Sequence, residues 1–159
     1  MALDALVSAE RVRVDVVARS KKHALEMVAE LLAGAYPGLS GNAIFDALVA
    51  REKLGCTSLG HGIALPHAAL ASVETGAVAT LKLREPLNFD DDDGSVNLIV
   101  AMVIPATGQG VSNDILQQAC DLLSEGDYRH QLMQAQTAAQ LYAALRGELP
   151  ASQVRQASG

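Results

Sequence analysis

Residues Val96 to Ile104 form a near-continuous apolar run, broken only by Asn97 and without a polar alternation. A strand with one wet face alternates apolar and polar residues. A run like this one needs apolar cover on both faces, which predicts a central strand sandwiched between helices. The flanking sequence supplies those helices. Ser20 is placed to cap one running to about Tyr36, with Leu25, Val28 and Leu32 in one stripe and Pro37-Gly38 as its stop. Ser40 is placed to cap a second, with Ile44, Phe45 and Leu48 inward, ending near Leu54-Gly55. Further helices are predicted over 112–124 and 128–134, and a last one follows a Thr137 cap with Leu141, Tyr142 and Leu145 inward. Strand patterns appear at Arg11 to Val17, Ile63 to Leu65 and Val78 to Leu83, the last ended by Glu85-Pro86. Interleaved helices and strands predict an α/β three-layer sandwich, a mixed central sheet with helices on both faces. Residues 1–149 are expected to form a single domain, with 150–159 a flexible tail.

Composition narrows the function classes. Aromatic residues make up 3% of the chain and there is no Trp, so a stacking platform for single-stranded nucleic acid is not expected. The formal charge is -6 and no basic patch stands out, which argues against phosphate backbones as partners. An acidic surface suits a basic protein partner instead. Cys56 and Cys120 are too few for a disulfide framework and read as reduced thiols. The N-terminal residues lack a signal-peptide pattern, and no apolar run reaches the length of a membrane span. A cytoplasmic protein without membrane insertion is the expectation.

The chemistry concentrates in Gly60-His61-Gly62-Ile63-Ala64-Leu65-Pro66-His67. Glycines allow a partner to approach the main chain and can turn N–H groups toward an anion. Pro66 stiffens the backbone from which His67 emerges. A neutral imidazole nitrogen so presented can act as a nucleophile. Arg51, near the end of the second helix, could reach the same loop and neutralise a phosphoryl group bidentately; in the plainer alternative, Arg51-Glu52-Lys53 is a solvated helix end. Other patterns fail on inspection. Gly55 to Gly60 has the glycine spacing of a P-loop, but His61 and Gly62 stand where Lys and Ser/Thr are needed. Cys56, His61 and His67 have no zinc-ligand spacing, and no metal is expected. Asp90 to Gly94 lacks the alternating ligands and closing Glu of a calcium loop, and reads as a solvated turn. His23 and His130 lie in amphipathic segments and read as surface residues.

Taken together, the run from Arg51 to His67 resembles the active-site segment of enzyme IIA proteins of the bacterial phosphoenolpyruvate-dependent phosphotransferase system. It is similar to the mannitol/fructose class and most of all to its nitrogen-regulatory branch. The likeness spans nearly the whole chain and includes Ser20-Lys21-Lys22, Pro86 to Phe89 and the strand ending at Pro105. It implies that His67 is the phosphoacceptor, reacting through Nε2 with a histidine-containing phosphocarrier protein, with no cofactor. It implies that Arg51 lies by the phosphoryl group and that Thr57, Gly60, His61 and Gly62 support it. The family's second histidine corresponds to Ser112, which can donate a hydrogen bond but brings no cation. His61 stands where the family more often has Asn or an acid, and is expected to supply part of the missing imidazole. The function implied is regulation of partners, potassium-transport regulators among them, according to phosphorylation state. Two alternatives stay open: a sugar-specific IIA passing phosphate to a IIB domain, and a binding regulator that accepts no phosphate.

Overall fold

In the computed structural model, residues 3–89, 95–106 and 109–148 are described, without the side chains of 109–113. Asp90 to Gly94, expected as a solvated turn, and 150–159, expected as a flexible tail, lie outside the described residues. After a short 3-10 turn (Ala9–Arg11), the elements are β1 (Val12–Val16), α1 (Lys21–Ala33), α2 (Gly41–Leu54), β2 (Ser58–Gly60), β3 (Ile63–Ala64), β4 (His67–Leu70), β5 (Ala77–Asn88), β6 (Ser95–Pro105), α3 (Gln109–Leu123), α4 (Gly126–Gln134) and α5 (Ala138–Leu145). The expected caps form. Ser20, Ser40 and Thr137 each accept a hydrogen bond from the backbone N–H three residues on.

The sheet order is β1-β5-β6-β3-β2, and β4 also pairs with β6. β6 is antiparallel to β5 but parallel to β3 and β4, and β1 is parallel to β5, so the sheet is mixed. The apolar run of β6 splits between two cores. Leu98, Val100, Met102 and Ile104 pack with α3, α4 and α5, including Ala119, Leu123, Leu132 and Leu141. Ile99, Ala101 and Val103 pack against α1 and α2 through Val28, Leu32, Ile44 and Leu48. All seven strand side chains are buried, as expected of a strand covered on both faces. The second interface is rich in alanine, with Ala24, Ala29, Ala64, Ala68, Ala79 and Ala101 all buried, which lets α1 and α2 approach the sheet closely.

Two local expectations need correction. β5 does not stop at Glu85-Pro86 but continues to Asn88. Its pairing with β6 shifts register between Lys82 and Leu87, and a proline is tolerated at such an irregularity because no ladder hydrogen bond is required of it. After β3, Leu65-Pro66 interrupts the pairing and His67 begins β4, further along the same edge of β6. Gly60 belongs to a short strand of its own, β2, antiparallel to β3.

Lys82 fastens the sheet to the end of α4. Its Nζ donates to the carbonyl oxygens of Met133 and Ala135, each at 2.5 Å, and to Leu132 at 3.4 Å. A cation at a helix C-terminus answers carbonyls that have no partner within the helix. Lys82→Met should therefore destabilise the protein by about 2 kcal/mol, seen as a lower urea midpoint with an unchanged m-value.

Candidate functional site

The α1–α2 pair and the β3–β4 edge bring Arg51 and His67 together. Arg51 sits one turn beyond the buried Leu48 on α2, so its side chain leaves the helix toward the sheet. Its Nε donates to His67 Nε2 at 3.2 Å, and its Nη1 donates to the Gly55 carbonyl at 3.0 Å. On the other side of the ring, His67 Nδ1 lies 3.0 Å from the Leu65 carbonyl. A carbonyl can only accept, so Nδ1 carries the proton and Nε2 keeps its lone pair, the arrangement that also accepts from Arg51.

Burial holds the His67 pKa below the ordinary imidazole value; the Leu65 carbonyl opposes this, the Arg51 guanidinium adds to it, and Glu52 works against it. Below about pH 6.5 an unfolded histidine takes up a proton that the folded His67 resists. Stability is therefore expected to rise with pH between the lowered value and about 6.5, and to be lost as pH falls through that window. An NMR titration of the His67 ring should give a midpoint below the ordinary imidazole value of about 6.5.

Thr57 is buried and its hydroxyl donates to Glu52 Oε1. The other carboxylate oxygen of Glu52 pairs with Lys21 Nζ at 2.7 Å. Lys21 in turn donates to the Phe89 carbonyl at 3.2 Å and lies over the Phe89 ring. The Thr57 carbonyl accepts from Leu65 N–H at 2.9 Å, so Thr57 is tied by its side chain to α2 and by its backbone to the segment that orients His67.

Sequence reasoning overlooked Lys21 and Glu52. In the plainer sequence reading Glu52 belongs with its neighbours to a solvated helix end, yet its side chain is only 6% exposed. A signal was available, since Glu52 continues the buried stripe Ile44–Leu48 at a spacing of four residues. An acid on a buried stripe calls for a partner.

The remaining expected residues fall elsewhere. Gly60, His61 and Gly62 have φ of 82°, 57° and 81° and make the tight turn between β2 and β3. The Gly62 carbonyl accepts from Asn97 and Leu98 N–H, whereas His67 pairs with Met102. Four residues of β6 separate these levels, roughly 13 Å along the strand. His61 is exposed at that far end, beside Pro86, Ser95, Asn97 and Met133. The expectation that His61 replaces a missing imidazole thus has no support in its position, and the same holds for a phosphate cradle at Gly60 and Gly62. Gly62 has another role: a Cβ there would lie 2.7 Å from Asn97 Oδ1. Ser112 lies within the span of α3, and its side chain is outside the described residues. His130 is exposed, but His23 is half-buried and its Nδ1 accepts from Arg19 N–H at the start of α1. Cys56 and Cys120 are both free. Among the described residues no cluster of His, Cys, Asp and Glu could hold a metal ion, and no helix is long and apolar enough to cross a membrane.

Residues 5–147 match the family described as "Phosphoenolpyruvate-dependent sugar phosphotransferase system, EIIA 2". The chain belongs to this family. Its members are components of a phosphotransferase system. Within the family, several of its relatives are named nitrogen regulatory proteins. One from Pseudomonas aeruginosa is 38% identical over 141 residues, covering 88% of this chain and 92% of its own. One from Escherichia coli is 33% identical over 142 residues, covering 88% and 86%. The crystal structure of the nitrogen regulatory protein IIA-Ntr from Neisseria meningitidis superposes with a TM-score of 0.81 at 32% identity, over 91% of this chain and 99% of that one. Mannitol IIA from Escherichia coli, at 21% identity and a TM-score of 0.70, shares the fold over 87% of this chain and 97% of its own. Together these place the chain with the nitrogen-regulatory IIA proteins of the phosphotransferase system.

Proposed function

We propose that the protein accepts a phosphoryl group on His67 Nε2 from a histidine-containing phosphocarrier protein and regulates target proteins according to its phosphorylation state. The observation that carries this is the His67 ring itself, with Nδ1 held by the Leu65 carbonyl and Nε2 facing Arg51. Nε2 attacks phosphorus, the N–P bond to the donor imidazole breaks, and its electron pair returns to that ring. Donor and acceptor are both imidazoles, so the step is close to balanced and reversible. What the protein contributes is alignment and charge: Arg51 releases Nε2 and turns its guanidinium to the phosphoryl oxygens. The regulatory half of the reading is supported by full-length relatives called nitrogen regulatory proteins. Phosphorylation adds about -1.5 to -2 charge where α2 meets β4, enough to make or break a protein contact there.

The test is incubation with phosphoenolpyruvate, enzyme I and the phosphocarrier, followed by intact mass. A gain of one acid-labile phosphoryl group, reversed by excess unphosphorylated carrier, is expected. No gain would leave a binding regulator that accepts no phosphate. A docking prediction accompanies it. Leu54 ends α2 one turn past Ala50 and is 84% exposed, an apolar anchor at the rim of the site. Leu54→Asp should raise the KM for the phosphocarrier about tenfold with little change in kcat, measured from initial rates of phosphoryl transfer.

A second reading has one observation in its favour. The 2-O-alpha-mannosyl-D-glycerate-specific EIIABC component of Escherichia coli is 31% identical over 129 residues, a match covering 20% of that longer protein. A sugar-transport role would require a IIB partner, and transfer of phosphate from this protein to a purified IIB domain would reveal it.

A further inference from the structure

Lys21, Glu52 and Thr57 form a line of polar groups leading from α1, through the last turn of α2, to the loop before His67. The hydroxyl proton of Thr57 is committed to Glu52, so Thr57 does not offer it to an incoming phosphoryl group in this state. Its effect on His67 runs through the backbone instead. The Thr57 carbonyl holds Leu65 N–H, and the Leu65 carbonyl holds His67 Nδ1. Glu52 is held at the loop before His67 by Thr57 and its charge is felt at the His67 ring, so a buried carboxylate stands near the place where a phosphoryl dianion must arrive. Left alone, that charge would oppose transfer; paired with Lys21 at 2.7 Å, it is largely neutralised.

We propose that Lys21 and Glu52 are positioning residues for phosphoryl transfer: Glu52 fixes the loop that orients His67 by holding Thr57, and Lys21 cancels the Glu52 charge that would otherwise repel the phosphoryl group. This rests on His67 being the acceptor. Among the described residues, the charged groups acting on His67 are Arg51 and Glu52, both from α2, with Lys21 of α1 acting through Glu52. On the sheet side, the neighbouring strand β6 brings apolar Met102 and Val103. The direction of each change follows. Lys21→Met leaves Glu52 uncompensated, which favours the imidazolium form and repels the donor. Glu52→Gln removes the charge while its amide oxygen still accepts from Thr57.

The test measures transfer rate from the phosphorylated carrier and the NMR titration midpoint of His67 in four proteins: wild type, Lys21→Met, Glu52→Gln and the double variant. Lys21→Met should lower kcat/KM about tenfold and raise the midpoint by on the order of one pH unit. The double variant should recover most of both, because the charge that Lys21 neutralises is gone. Lys21→Arg should keep near wild-type behaviour. A double variant as slow as Lys21→Met, or a midpoint that stays put in Lys21→Met, would overturn the proposal, since a merely structural pair gives additive damage without moving the titration. Should Lys21→Met fail to fold, Glu52→Gln alone decides: its His67 midpoint must fall below that of the wild type, and an unchanged midpoint refutes the electrostatic role. A wild type that takes up no phosphate refutes the acceptor assignment itself, and the titration midpoints still judge the Lys21–Glu52 coupling separately.

Discussion

Arg51→Ala is expected to slow phosphoryl transfer to His67 about a hundredfold, the scale of losing one aligned charge-stabilising donor at a reacting centre. Arg51 has two anchors in the resting protein, the Gly55 carbonyl and His67 Nε2, so its guanidinium is held beside the reacting atom before any donor arrives. Pre-placement of that kind is what makes a charge effective in the transition state, because little reorganisation is left to do. Arg51→Lys should recover only a small part of the loss. An ammonium can neutralise one oxygen but cannot hold Gly55 and a phosphoryl group with one planar fork. Fold stability should change little in either variant, since Arg51 remains partly exposed at the helix end. Initial rates from phosphorylated carrier, with circular dichroism melts as the control, check both statements.

The second large effect belongs to the proposed acceptor. His67→Gln should abolish the acid-labile mass gain altogether, because an amide has no nucleophilic nitrogen of comparable basicity. Its volume is close enough to keep β4 paired with β6, so loss of phosphorylation would not reflect loss of the fold. His61→Asn, in contrast, should leave phosphorylation at the wild-type rate. The β3–β6 register places His61 near Asn97, at the far end of the strand from Met102 and His67. The two histidines of one short motif thus have opposite expected outcomes.

That contrast also marks what the sequence made legible. The layers could be read because hydrophobic patterning carries them: β6 is apolar along both faces, and the helix caps and stops bracket α1 and α2. Arg51 and His67 were legible as a pair only through the family resemblance; the residues alone left Arg51 open between a phosphoryl contact and a solvated helix end. The pairing register around them was not. β2, β3 and β4 contain three, two and four residues, too few to show a period, so nothing in the residues told which end of the sheet the Gly60–Gly62 turn would occupy. Lys21 and Glu52 escaped for a different reason. A charged residue near a helix end reads as solvated, and only the meeting of α1 with α2 reveals that Glu52 is covered. Pro86 illustrates a third cause, since a strand can pass through a proline where its register slips.

The central claim is that His67 reacts through Nε2 while the Leu65 carbonyl retains the Nδ1 proton. Long-range proton–nitrogen NMR on protein labelled with nitrogen-15 in its histidine rings tests it directly, before and after phosphorylation by the carrier. At neutral pH the His67 ring should show a protonated Nδ1 and a bare Nε2, and phosphorylation should place the phosphorus coupling on Nε2. A proton on Nε2 in the resting protein, a coupling on Nδ1, or a phosphorus signal on any histidine other than His67 would contradict the account.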